Sequence, residues 1–210
     1  MTKNLEQLVN ELSAEAGHPR PAPHPFILSL KLFGAAAAYL ALALAISGLR
    51  PDLAQALQQP WYVAELLMLL LLFAASTTSA ALLAFPDLHQ KRALAYAPVV
   101  AFALFALTML FAWRADTAPP PLHDIECTIS ITLVALLPAA WTFYLMRGYA
   151  STHPDWAGSI ALFAAFGTGA LWLRLQETND SVAHVVLWHY LPMLLAGVIG
   201  WILGRRLLRW

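Results

Sequence analysis

The sequence predicts an all-α membrane protein: a bundle of six transmembrane helices preceded by a short cytoplasmic amphipathic helix. Three observations predict it. The 210 residues are 60% hydrophobic and only 11% charged, where soluble domains carry about 25% charged residues, so too little polar surface exists to cover a water-soluble globule. Six apolar segments recur at 26–49, 61–85, 93–113, 127–146, 156–175 and 184–203, each near the ~20 residues that cross a bilayer core. The connections between them, such as RPDLAQALQQP and RADTAPPPLHDIE, are short, and none has room for a soluble domain. Two units follow: residues 1–25, a helix and a spacer, and residues 26–210, the membrane domain.

The first unit carries Leu5, Leu8, Val9 and Leu12 at helical spacing, which places all four on one face. Asn4 can cap its start and Gly17 its end. So short a helix is marginal alone in water, so its apolar stripe predicts a partner groove, with a frayed tail as the alternative. Lys3 against Glu6, Glu11 and Glu15 leaves the helix acidic, which disfavours an anionic lipid surface and suits a protein partner with a basic rim. The following HPRPAPHP is stiffened by its prolines into a spacer of roughly 20 Å. These residues do not look like a cleaved leader, and the N-terminus is expected to stay attached.

An even number of spans puts both termini on one side. With that side cytoplasmic, Lys3, Arg20, Lys31, Lys91, Arg92, Arg147, Arg205, Arg206 and Arg209 lie inside and Arg50, Arg114 and Arg174 outside, as the positive-inside rule requires. The expected location is a bacterial inner membrane, multi-pass, in contact with lipid. Twelve basic residues balance twelve acidic ones, which gives no reason to expect a nucleic-acid partner. Trp61, Trp113, Trp156, Trp172, Trp188 and Trp210 fall at span ends as an interfacial belt. Gly200 and Gly204 form a GxxxG pair, with Gly197 one turn earlier and Gly167 and Gly169 in the fifth span; these are helix-packing surfaces and a candidate homodimer face. Pro98, Pro138 and Pro192 are expected to kink spans three, four and six.

The run Cys127 to Met146 carries no charge and reads as a helix about 30 Å long. At its outer mouth stand His123, Asp124, Glu126 and Cys127, and Glu177, Asp180, His184 and His189 come from the last outer loop and the sixth span. Imidazole, thiolate and carboxylate together suit zinc or copper, which makes His123, Cys127, Glu177, His184 and His189 candidate metal ligands. The spacing matches no strong metal motif, and a hydrated loop is the competing reading. Cys127 and His123 are also candidate sensing residues, since a helix N-terminus favours the thiolate and the outer compartment is oxidising. Asp124 and Glu126 oppose this electrostatically, and a buried, inert thiol is the alternative. One cysteine excludes an intrachain disulfide. Glu65 is the clearest intramembrane acid, expected to reach the outer interface from one turn below Trp61.

No HExxH, GxSxG or glycine-rich phosphate loop is present, so a non-enzyme is expected. A small six-span transporter or metal- or solute-handling protein is the alternative to a receiver with an outer sensor and an inner partner-binding helix. The transporter reading lacks paired intramembrane charges and a detectable inverted repeat.

The strings GLRPDL, ECTISITLVALLPAAW, THPDWAG, DSVAHVVLWHYLP and GRRLLRW, in that order, give the whole chain a resemblance to the six-span membrane anti-sigma factors called negative regulator of sigma F. The resemblance implies a protein that holds an extracytoplasmic-function sigma factor inactive at the inner membrane and releases it under oxidative or metal stress. Members of that family typically carry two outward-facing cysteines. Cys127 matches the first; the second falls near Glu177, where LQETND has none.

Overall fold

The computed structural model describes residues 4–15, 24–86, 92–115 and 124–209. Among them no strand occurs. In chain order the helices are α1 (Leu5–Glu15), α2 (Pro25–Ser47), the single turn α3 (Leu53–Ala56), α4 (Pro60–Leu83), α5 (Arg92–Ala115), α6 (Ile125–Met146), α7 (Pro154–Arg174), α8 (Val182–Val185), a π-helical turn (Val186–Tyr190), and α9 (Leu191–Leu207). Six of these stretches are long and apolar enough to cross a membrane, the sixth being the continuous run Val182–Leu207. This is the predicted fold class.

Local chemistry sets the helix starts. Pro25, Pro60 and Pro154 occupy first-turn positions, where the missing N–H costs nothing and the fixed φ favours the helix. His24 caps α2 by accepting the Phe26 N–H on its Nδ1. Pro98 and Pro138 are accommodated inside α5 and α6.

Pro192 acts differently from a simple kink. It has no N–H to offer the Trp188 carbonyl four residues back, where its ring would also crowd. The helix widens over the preceding turn, and the Leu191 N–H bonds the Val186 carbonyl, five residues back. The freed Trp188 carbonyl is satisfied from another helix, by the Thr128 hydroxyl of α6 at 2.7 Å.

Packing is organised around α7, the most enclosed of the six spans, while α2 is the least. In lipid, burying apolar surface gives little drive for helices to associate, so close backbone approach and van der Waals contact must supply it. Small residues on α7 permit that approach. A Cβ on Gly158 would collide with the Gly204 Cα and the Gly200 carbonyl oxygen of α9, and one on Gly169 with the Ile131 carbonyl oxygen of α6. The GxxxG face of α9 is therefore occupied within the chain by α7, so a homodimer would need another surface.

Ala157, Ala161, Met146 and Leu32 lie in one buried cluster; Leu69, Phe105, Leu171 and Met193 lie in a second. Around both runs a wide belt of exposed Leu, Ile, Val and Phe, including Leu30, Ile46, Leu67, Leu104, Leu133 and Leu195, far larger than a soluble monomer presents to water.

Helix α1 leaves its stripe uncovered: Leu5 is 75%, Leu8 43%, Val9 53% and Leu12 56% exposed. Lys3, Gly17 and most of the proline-rich spacer lie outside the described residues.

The α7–α9 seam yields a stability prediction. Gly158→Ala has only backbone to displace, and overpacking of this kind costs about 1–3 kcal/mol. It should lower the thermal midpoint of the detergent-solubilised protein, whereas Gly34→Ala, with nothing within 4 Å of its would-be Cβ, should leave that midpoint unchanged or raise it.

Candidate functional site

The polar cluster assembles at the end of the bundle where α6 begins and α7 ends. Cys127 lies in the first turn of α6, and its N–H bonds the Asp124 carbonyl. Glu177 follows α7, where its N–H bonds the Leu173 carbonyl at 2.8 Å, so the helix end fixes its backbone. His184 comes from α8 and His189 from the π turn. In an uninterrupted α-helix, residues five apart point about 140° away from each other. The wider turn brings them onto one side, with ring centroids 5.1 Å apart.

One ligand-type atom from each of Cys127, Glu177, His184 and His189 lies within 4.8 Å of the others. The Cys127 Sγ is 3.7 Å from Glu177 Oε2 and 3.8 Å from His184 Nε2. His184 Nε2 approaches Glu177 Oε1 at 2.8 Å, and His189 Nε2 approaches Oε2 at 2.9 Å. His184 and His189 are fully enclosed, Glu177 partly. The contact of His189 is close but poorly aligned: neither of its ring nitrogens has a hydrogen-bond partner. Asp124, the residue just before α6, sits with its carboxylate 2.9 Å from His184 Nδ1 and orients that ring with Nε2 toward the cluster. Burial would raise the Glu177 carboxyl, but the nearby His189 and His184 rings and the Cys127 thiol outweigh it and hold it below the usual range. His123 lies outside the described residues.

A second polar assembly abuts the first. Asp180 Oδ1 accepts from Arg50 Nη1 and Arg174 Nη2, both at 2.8 Å, and its Oδ2 accepts from Arg50 Nη2 at 2.9 Å. Arg50 also grips Asp52 through Nε and Nη2, and Arg174 Nε reaches Glu65 Oε1 at 2.8 Å. Tyr190 donates its hydroxyl to the same Glu65 oxygen. The Tyr62 ring packs against both guanidinium groups, 5.1 Å from that of Arg50 and 4.5 Å from that of Arg174, and its hydroxyl donates to the Arg174 carbonyl.

Glu65 thus departs from expectation. It is 6% exposed and paired with Arg174 rather than reaching an interface, so the chain does hold a paired charge inside its spans. Both members are bound by neighbours within the bundle, which describes a structural clamp. Asp124, Asp180 and Arg174 are contact partners whose places sequence reasoning left unassigned; for Glu65 and Arg174 an opposite-charge pair at similar depth in two spans was the available signal.

Burial alone would push the Asp180 carboxyl up, yet Arg50 and Arg174 hold it below the usual carboxylate range. A depressed carboxyl stabilises the fold above its unfolded value and loses that contribution as pH falls through its folded value. Asp180→Asn should lower the thermal midpoint at neutral pH, and the gap to wild type should close as the pH is taken down below the carboxylate range.

A family model described as negative regulator of sigma F matches residues 12–210. An anti-sigma-F factor, NrsF, of Caulobacter vibrioides (strain NA1000 / CB15N) is 30% identical over 216 residues, covering 98% of this chain and 99% of that protein. No solved structure matches the chain. With a six-span helical bundle and an amphipathic helix ahead of it, and a match running through the last span, the chain belongs to the negative regulator of sigma F family of anti-sigma factors.

Proposed function

We propose that this protein holds an extracytoplasmic-function sigma factor at the bacterial inner membrane through α1, and releases it when an oxidative or metal stress is read at the Cys127 end. The observation that carries this is the uncovered stripe of Leu5, Leu8, Val9 and Leu12 on α1. In a chain of an anti-sigma family, such a stripe suits the helix-in-groove mode, in which an amphipathic helix lays its apolar face into a partner's cleft. Glu6 and Glu11 on the same helix complement a basic rim on the client.

The distribution of exposed cations supports the orientation. Lys31, Arg147, Arg205, Arg206 and Arg209 are exposed at the end from which α1 departs. Arg50 and Arg174, at the opposite end, are buried against carboxylates. This asymmetry supports cytoplasmic termini under the positive-inside rule; in that orientation α1 would face its client and the cluster the envelope. A divalent ion such as zinc or copper, or an oxidant of the Cys127 thiol, is the signal this chemistry suits.

Transmission uses α2. Its inner end leads to α1, and just beyond its outer end Arg50 is tied to Asp180, in the loop that supplies Glu177. As the least enclosed span, α2 has the fewest interactions to break on moving. An outer event shifts the bundle between two arrangements only to the extent that the signal binds them unequally.

Leu8→Asp with Leu12→Asp should abolish co-purification of the sigma factor while membrane insertion stays intact; undiminished capture would remove α1 from the mechanism. Deleting residues 2–20 should derepress a sigma-dependent reporter. Loss of solute flux with transcription unaltered would favour a transporter instead.

A further inference from the structure

We propose that Cys127, Glu177, His184 and His189 form a closed four-ligand site for a zinc-type divalent ion, with Asp124 positioning one ligand. The use of such an ion as a signal rests on the reading above; the site itself stands on its own geometry.

The donor set is one sulfur, one carboxylate oxygen and two imidazole nitrogens, the mixture of ligands zinc takes in tetrahedral sites. Metal–ligand bonds of about 2.0–2.3 Å place tetrahedral ligands about 3.3–3.8 Å apart. The Cys127 Sγ already stands 3.7 Å from Glu177 and 3.8 Å from His184. The Glu177–imidazole contacts, at 2.8 and 2.9 Å, are shorter than that spacing and would open by about 0.5 Å on binding, while all four ligand atoms already lie within 4.8 Å of one another. Four protein ligands leave no vacant coordination position, which distinguishes a structural or sensory site from a hydrolytic one.

His189 supplies the independent observation. His189 is fully buried, and among the described residues neither of its ring nitrogens has an aligned hydrogen-bond partner, an arrangement that carries a desolvation cost. Its Nε2 stands 2.9 Å from the Glu177 carboxylate, which Cys127 and His184 also approach, and coordination would satisfy it. His184 shows the complementary feature: the Asp124 carboxylate at Nδ1 fixes the tautomer that leaves Nε2 free to bind metal, the carboxylate–histidine–metal arrangement of known zinc sites.

The ligands are also held from behind. Glu177 is three residues from Asp180, which two arginines grip. His189 precedes Tyr190, which donates to Glu65, and Cys127 precedes Thr128, which bonds the Trp188 carbonyl. The site is thus preorganised on three elements, as selective metal binding demands. On binding, the Cys127 thiol gives its proton to solvent and the thiolate sulfur donates its electron pair to the ion.

The test is metal titration of the full-length protein purified in detergent, without any sigma factor, using zinc(II) and cobalt(II) alone. Wild type should bind one equivalent of either. The cobalt form should show tetrahedral absorption with a sulfur-to-metal charge-transfer band that Cys127→Ser removes. Asp124→Asn, which keeps all four ligands, should weaken affinity by about 10- to 100-fold, and His189→Gln should weaken it at least as much. No stoichiometric binding by wild type, or binding that Glu177→Gln and His189→Gln leave unchanged, would overturn the site. Stoichiometric binding with sigma capture unaffected by zinc would retain the site and remove the ion from the signalling scheme.

Discussion

Two guanidinium groups withdrawn from water need carboxylates, and Asp180 serves both. Breaking such a pairing by removing one partner leaves an uncompensated buried charge, which is far more costly than the net gain of the intact pair. Through Arg50 and Arg174 this one residue joins the C-terminal end of α2, the end of α7 and, by way of Glu65, the first turns of α4. The loop from 176 to 181 cannot shift without disturbing all three. Glu177 sits in that loop, so the position of the carboxylate in the polar cluster follows from the clamp beside it. The Tyr62 ring lies within cation–π distance of both guanidinium groups.

Beyond this polar end, the bundle relies on backbone proximity. Lipid tails are as apolar as leucine, so the spans gain little by hiding Leu and Val from them, and those side chains line the exposed belt instead. What α7 contributes is smallness. Gly158 meets Gly200 and Gly204, and Gly169 meets the backbone of α6, allowing the central helix to be touched from several sides at short range. By contrast α2 keeps only Leu28, Ser29 and Leu32 buried along its length. The result is a tightly packed hub with one loosely held arm.

The spans were legible in the sequence because twenty uncharged apolar residues have few alternatives. Cys127, Glu177, His184 and His189 were legible as residues at one end, since each falls near a span boundary. Their convergence was not, because His184 and His189 share a side only after Pro192 has widened the preceding turn. The Glu65–Arg174 pair was obscured for a related reason: each residue, considered alone, lies near enough to a span end to be assigned to the interface. Asp124 looked like one more acid on a hydrated loop; its role appears only once His184 of a distant span is seen 2.9 Å away. The apolar stripe of α1 needed no tertiary information, being a matter of local spacing.

The π turn is an ordinary helix carrying one surplus residue, and such an insertion rotates everything downstream of it by roughly 100°. In this chain everything downstream includes Gly197, Gly200 and Gly204. The azimuth that presents His189 to its neighbours therefore also decides which flank of α9 meets Gly158, at the far side of the membrane domain. Deleting the surplus residue would turn both the histidine and the glycine seam away from their present neighbours in a single step.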